Sequence, residues 1–498
     1  MPMDANCVLL RDGKFDAANG SDAENLKRIF AGIRVRRPKQ LVLHFHGGLV
    51  PREDAVASAR RLAREYEKCG AESLFVVWES GLTEIISQKL PLLQQEKLFQ
   101  TIQLRVSQFV KAKLDKLLSP LASRGQGLPI EFEEQIQQEI DKGPRMFNDI
   151  PIREIPRDAV PDPDSALTND EKEDIQKKID RDPVLRTEID VAAAARSPLE
   201  PGDRSARATA PSATLMDDDV LKTLTQPAAE GGRFAVSTIV LGKHIVWVVG
   251  AVIWRFVHRR DHGPYLTIVE EIMREFYVRT VGRSLWTSMK GSIDGAFGFE
   301  SDCGGRVLVE EIQKLSQSGD RPRVILVGHS AGAIYAARLL RALHEKLDES
   351  FRVNLILIAP ACTFGYLAPA LDQAGSRIAN LRVFGMGDAI ERADAIAGSL
   401  YPASLLYFVS GVLEDSRDEP LVGMERYYAA PYTGTGFGTI AFVKSHAALS
   451  RTHAFVWSHV SGGDGANCDM RSHGGWADAA ATLGSVEFLI RNGFDHAG

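Results

Sequence analysis

Ser330 lies in the run Gly328-His329-Ser330-Ala331-Gly332, and its surroundings give that serine chemical potential. Before it, Arg323 leads into the β-branched, apolar Val324-Ile325-Leu326-Val327; after it, Ala333 through Leu340 has helical spacing. The stretch reads as buried strand, tight turn, helix. Such a turn can hold a serine on a strained backbone, with a helix N-terminus behind it to favour negative charge. A side chain at Gly328 or Gly332 would collide with the neighbouring strand or helix where the chain turns this sharply. Gly-x-Ser-x-Gly alone is common by chance, but the flanking strand and helix make Ser330 the candidate nucleophile.

A nucleophilic serine needs an oxyanion hole, a base and an acid that orients the base. His44-Phe45-His46-Gly47-Gly48-Leu49 closes a strong strand with a glycine turn. The backbone N–H of Gly48 (or Leu49) and that of Ala331 are the expected oxyanion donors. For the acid, the strand from Asn354 ends in Ala359-Pro360-Ala361, with no carboxylate. The next, from Asn380, ends in Gly385-Met386-Gly387-Asp388, which offers Asp388 as a candidate acid. Glu391 and Asp394 follow as substitutes, and carboxylates in a first helical turn are also ordinary complements to the helix dipole. Four C-terminal histidines compete for the base: His446, His453, His459 and His473. His473 sits in a loop, Arg471-Ser472-His473-Gly474-Gly475-Trp476, followed by Asp478 as a helix cap and by Leu483, Val486, Leu489 and Ile490 at helical spacing. It is one candidate for the base, with His453 and then His459, at strand-like or helix-like positions, behind it. His329 reads as packing or pocket lining.

The elements that must position these groups alternate. Residues 22–36 have a helical apolar stripe, 39–46 form a strand, 55–69 a helix and 73–78 another strand. That alternation predicts a parallel sheet covered by helices. Residues 81–142 read as helices. From 143 to 232 the prolines and a charged run predict mostly loop or linker with one short helix. Residues 234–257 are strongly apolar, nearly long enough to span a bilayer and flanked by Arg255, His258, Arg259 and Arg260. Lys243 and His244 in their middle favour a buried or lid helix, or one that inserts into a membrane surface. Residues 265–290 look helical, and strand–helix alternation resumes near Arg306. The organisation expected is one α/β domain in two halves, 1–80 and 301–498, interrupted by a mainly helical insertion over 81–300.

At the glycine turn of 44–49 and the serine turn of 328–332 the chain resembles the lipase and esterase branch of the α/β-hydrolase superfamily. The resemblance covers residues 38–80 and about 303–495. It implies an α/β-hydrolase core with a cap, and the order Ser330, Asp388, His473 for nucleophile, acid and base. It also implies cleavage of an ester, thioester or amide through an acyl-enzyme, with no cofactor. With the apolar segment and the helices from Leu90 to Leu118, a lipid or long-acyl ester is favoured; a soluble carboxylesterase or a peptidase of the same fold is the near alternative.

Two readings compete. His44 and His46 fall on one side of a strand and suit a metal-dependent hydrolase, although the later strand ends supply only Asp388 as a further ligand. A non-catalytic, membrane-docking α/β protein is the other. The net charge of −6 supplies no basic field for nucleic acid. Five scattered cysteines without a C-x-x-C point to a reducing compartment and no thiolate metal site. The first residues lack the pattern of a secretory signal. These features set the expectation of a cytoplasmic protein with peripheral membrane contact through 234–257.

Overall fold

The computed structural model describes residues 7–48, 51–78, 82–122, 161–196, 214–227, 234–236, 238–318, 321–434, 436–448 and 454–494. Short runs of Val, Leu and Ile with no polar face can only be strands covered on both sides, and they form the centre of an eight-stranded sheet. In chain order the strands are β1 (Cys7–Arg11), β2 (Lys14–Phe15), β3 (Gln40–Phe45), β4 (Ala71–Trp78), β5 (Arg323–His329), β6 (Val353–Ile358), β7 (Ile378–Met386) and β8 (Phe455–Ser458). Their order across the sheet is β8-β7-β6-β5-β3-β4-β1-β2. All pairs are parallel except β1 with β2. The register sets the chemistry: Gly328 of β5 lies opposite Phe45 of β3 on one side and Leu357 of β6 on the other. The serine turn after β5 therefore emerges beside the glycine turn after β3.

Strands β1 and β2 are absent from the expectations above. Their signal is Asp12-Gly13, with φ of 50° and 80°, a two-residue hairpin turn between Leu10 and Phe15.

The longer helices are α1 (Ala23–Arg36), α2 (Arg52–Lys68), α3 (Lys97–Ala122), α4 (Asn169–Asp180), α5 (Pro183–Arg196), α6 (Thr238–Val257), α7 (Pro264–Phe276), α8 (Arg283–Gly295), α9 (Gly304–Ser316), α10 (Gly332–Lys346) and α11 (Ala480–Asn492), with shorter ones that include Phe364–Ala374 and Gly438–Ala448. Helix α9 packs on α1 and α10 and so flanks the sheet. Helices α4 and α5 correct the linker expected over 143–232. Thr168 and Glu171 make a reciprocal capping box for α4. The Asp182 carboxylate accepts from the N–H groups of Val184 and Leu185, and Pro183 takes the first turn of α5, where its missing N–H costs nothing.

The apolar segment is α6, the one helix among the described residues long and apolar enough to cross a membrane. Most of its apolar face is buried against α3, α4 and α7. Its last turn also carries a buried charge. Arg255 meets Glu270 at 2.8 Å and Glu271 at 3.1 Å on α7. His262, just before α7, places Nδ1 2.7 Å from Glu270 and Nε2 2.9 Å from Asp418, which is also bonded by Tyr427, Tyr432 and Arg260. Helices α6 and α7 are thus tied to the 405–432 segment by a buried polar network.

That network makes stability acid-sensitive. Burial pushes Glu270 up, but His262 and Arg255 outweigh it and hold its carboxyl at about 2; burial likewise opposes, and His262 and Arg426 reverse, the shift that keeps Asp418 well below its ordinary range. Both folded values lie below the unfolded ones. Their stabilisation is therefore complete above the ordinary carboxylate range and is lost as pH falls through it. Unfolding midpoints should fall between about pH 5 and about pH 2, with a slope of up to about 1.4 kcal/mol per pH unit for each group. Denaturant titrations of the wild type and Glu270→Gln check this; the variant should show a shallower slope.

Candidate active site

Ser330 adopts φ of 53°, left-handed backbone that a serine enters only when its surroundings force it. Its N–H donates to the Ile358 carbonyl at 2.9 Å, and its own carbonyl accepts from Ala333 and Ala361, each at 3.1 Å. The two glycines have the steric role expected of them. A Cβ on Gly328 would stand 2.8 Å from the Gly332 carbonyl oxygen, and one on Gly332 would stand 2.0 Å from that of Phe45. The serine is 3% exposed.

The glycine turn after β3 lies directly against it. A Cβ on Gly47 would be 3.1 Å from Ser330 Cβ, and one on Gly48 would be 3.2 Å from Ala331 Cβ. The N–H groups of Gly48 and Ala331 have no acceptor among the described residues. Leu49 lies outside those residues. His46 holds this turn: the Trp78 N–H donates to its Nε2 at 2.9 Å, so its Nδ1 carries the proton and donates to the Gly47 carbonyl at 2.5 Å. His44 faces the Tyr66 hydroxyl at 3.0 Å. Burial holds His44 down at about 3 and His46 at about 4, so both rings are neutral at physiological pH. The metal reading is corrected by these partners, since both His46 nitrogens are used by the backbone. Among the described residues the only grouped donors are Glu300 and Asp302, exposed and paired with the Lys14 ammonium, and the buried Cys303.

His473 reaches the site from the loop before α11. Its ring centroid is 5.3 Å from that of His329, the neighbour of Ser330, and it is 6% exposed. Neither of its ring nitrogens has a hydrogen-bond partner. Its main chain is held at both ends. The N–H donates to the Asp394 carboxylate at 2.7 Å, and the carbonyl accepts from His329 Nε2 at 3.1 Å. Burial, with His329 close by, pushes the His473 imidazole well below its ordinary range. His459 is exposed just after β8, His446 lies on the 438–448 helix against Gly375, and His453 is outside the described residues.

The acid requires a correction. Asp388 does emerge at the end of β7, but it is occupied elsewhere: Tyr407 donates to one oxygen at 2.5 Å and Arg392 to the other at 2.9 Å. It makes no bond to His473. Glu391 is fully buried, and burial beside Asp394 and Asp388 pushes its carboxyl well above the ordinary range. Asp394, read as a substitute, is the carboxylate that the structure brings to His473; burial raises it and the His473 N–H opposes that rise. Helix α8, expected only as part of a helical stretch over 265–290, also belongs to the site. A Cβ on Gly48 would come within 2.5 Å of Met289 Sδ, so this helix lies on the oxyanion turn. Glu414 holds it there, accepting from Trp286 Nε1 and pairing with Lys290, each at 2.7 Å. Nothing in the sequence spacing marks that contact.

Residues 283–489, from α8 into α11, match the family model described as the alpha/beta hydrolase family. The match spans the serine turn, β6 to β8 and His473. Over these residues the chain is similar to the alpha/beta hydrolase family, and its mostly parallel eight-stranded sheet is an α/β core. No curated protein and no solved structure matches it in comparison. The serine turn, the carboxylates after β7 and the histidine after β8 all lie at the C-terminal edge of the sheet, the edge at which open α/β sheets place their ligand sites.

Proposed function

We propose that the chain is a serine hydrolase that cleaves an ester through an acyl-enzyme. One observation carries this reading: Ser330, held on left-handed backbone, lies against the Gly47-Gly48 turn, where the Gly48 and Ala331 N–H groups have no acceptor among the described residues, and its neighbour His329 is 5.3 Å from the ring of His473, a buried histidine whose ring nitrogens have no partner among those residues. Ser330 Oγ attacks the ester carbonyl carbon while His473 takes its proton. The carbonyl oxygen becomes an oxyanion held by Gly48 and Ala331 N–H groups. The intermediate collapses, the C–O bond breaks, and His473 returns the proton to the departing alcohol. Water, activated by the same imidazole, then releases the acid. Asp394 stabilises the imidazolium. A rotation of the His473 side chain brings Nδ1 toward the carboxylate that already binds its own N–H, a tightening common on substrate binding.

The substrate proposed is an apolar acyl ester. Burial of α6 weakens the part of that argument that relied on membrane docking. A cavity of about 20 Å³ between α8 and the Asp12-Gly13 turn is lined by Trp78, Met289, Ile293 and Tyr335 together with Leu10 and Gly13, and Met289 separates it from Gly48. It holds no more than a water, so an acyl chain enters only as α8 moves. Turnover of p-nitrophenyl esters of increasing acyl length tests the proposal. The expected result is hydrolysis that rises with chain length, is unaffected by chelators and vanishes in Ser330→Ala. Equal turnover by that variant would end the serine mechanism.

A further inference from the structure

We infer that His329 is a positioning residue for the base. The inference rests on the reading of Ser330 and His473 just given. His329 is buried, and its Nε2 lies 3.1 Å from the carbonyl oxygen of His473. A carbonyl can only accept, so Nε2 carries the proton. Asp394 binds the N–H of the same residue at 2.7 Å. The peptide group on each side of His473 is thus bonded to a side chain from a different element, β5 on one side and the segment after β7 on the other. The imidazole itself has no partner. The loop around it is rich in glycine, with Gly474 and Gly475 next in sequence, and by itself would leave the backbone loosely defined. The two side chains therefore fix where the base stands while leaving its ring free to turn between Ser330 and Asp394.

This assigns His329 a role that packing does not. Being adjacent to the nucleophile, it ties the position of the base to that of the serine: any shift of the serine turn carries His473 with it. Its place could not be taken by an equally bulky apolar ring, because the Nε2–H donor is what holds the carbonyl.

His329→Phe keeps the ring volume and removes the donor. His329→Gln places an amide N–H close to where Nε2 stood, and His329→Asn places one nearer to Nδ1. With a p-nitrophenyl ester, the Phe and Asn variants should lose about a hundredfold in kcat with KM little changed, since a misplacement of about 1 Å in a catalytic group costs that much. The Gln variant should recover most of the rate. Wild-type kcat in both Phe and Asn variants would overturn the inference, as would equal losses in all three. Unfolding midpoints identify a variant that is merely unstable; if Phe fails to fold, the Gln-against-Asn comparison still decides. Failure of the underlying serine mechanism is distinguishable, because it appears as full turnover by Ser330→Ala whatever the His329 series does.

Discussion

Asp394→Asn is expected to lower kcat by about 10²–10⁴-fold while the protein stays folded. The carboxamide oxygen can still accept the His473 N–H that the carboxylate accepts at 2.7 Å, so the loop keeps its anchor. What disappears is the negative charge beside the imidazolium that forms when Ser330 gives up its proton. Asp388→Asn should behave in the opposite way. Its carboxylate is bonded to Tyr407 and Arg392, and Arg426 lies close enough to help hold it ionised. Losing that charge should cost about 1–3 kcal/mol of stability, the usual price of a charged hydrogen bond, with kcat changed only a few-fold. Steady-state kinetics with denaturant unfolding on both variants separates the two carboxylates. A large kcat loss in Asp388→Asn with none in Asp394→Asn would return the acid to the residue at the end of β7.

Gly332→Ala carries the largest expected effect on the fold. A methyl group there would lie 2.0 Å from the Phe45 carbonyl oxygen and 2.9 Å from that of His46. Both are backbone atoms at the end of β3, with no flexible side chain to move aside. Either α10 or the oxyanion turn has to shift, and with it the packing of the central strands. The expectation is a loss of about 3–5 kcal/mol, or insoluble protein, from backbone strain of a kind that surface substitutions do not produce. Gly474→Ala is the matched control. It adjoins His473, yet a Cβ there would meet nothing within 4 Å, and it should leave the unfolding midpoint unchanged or slightly raised. Equal midpoints for the two variants would contradict the account of the turn.

The parts of this protein legible in sequence are those governed by local pattern. Val324 to Val327 can only be a covered strand, and Gly328 and Gly332 only permit a sharp turn, so Ser330 and its neighbours follow from spacing. The oxyanion turn follows in the same way from an apolar strand that ends in Gly47-Gly48. The acid was less legible because its assignment depends on which carboxylate finds cations first. Asp388 is claimed by Arg392, four residues on, and by Tyr407, nineteen residues on. No periodicity announces the second. The charged run of 169–178 and the prolines on either side of it concealed two helices, since the Thr168–Glu171 capping box and Asp182-Pro183 mark helix starts only once their places in the first turn are known. For α6, hydropathy alone could not tell a lipid-facing helix from one packed inside a cap. Arg255, which looked like an interfacial anchor, is instead fully buried against Glu270 and Glu271.

The central claim is that Ser330 is a nucleophile activated by His473, and one labelling experiment addresses it directly. A fluorescent fluorophosphonate forms a covalent bond only with an activated, accessible serine. It should label the wild type, fail to label Ser330→Ala and label His473→Ala only weakly. Because Ser330 is 3% exposed beneath α8, the same experiment includes Met289→Ala, in which the oxyanion turn is uncovered. Labelling that persists in Ser330→Ala, or none in either the wild type or Met289→Ala, would contradict the claim.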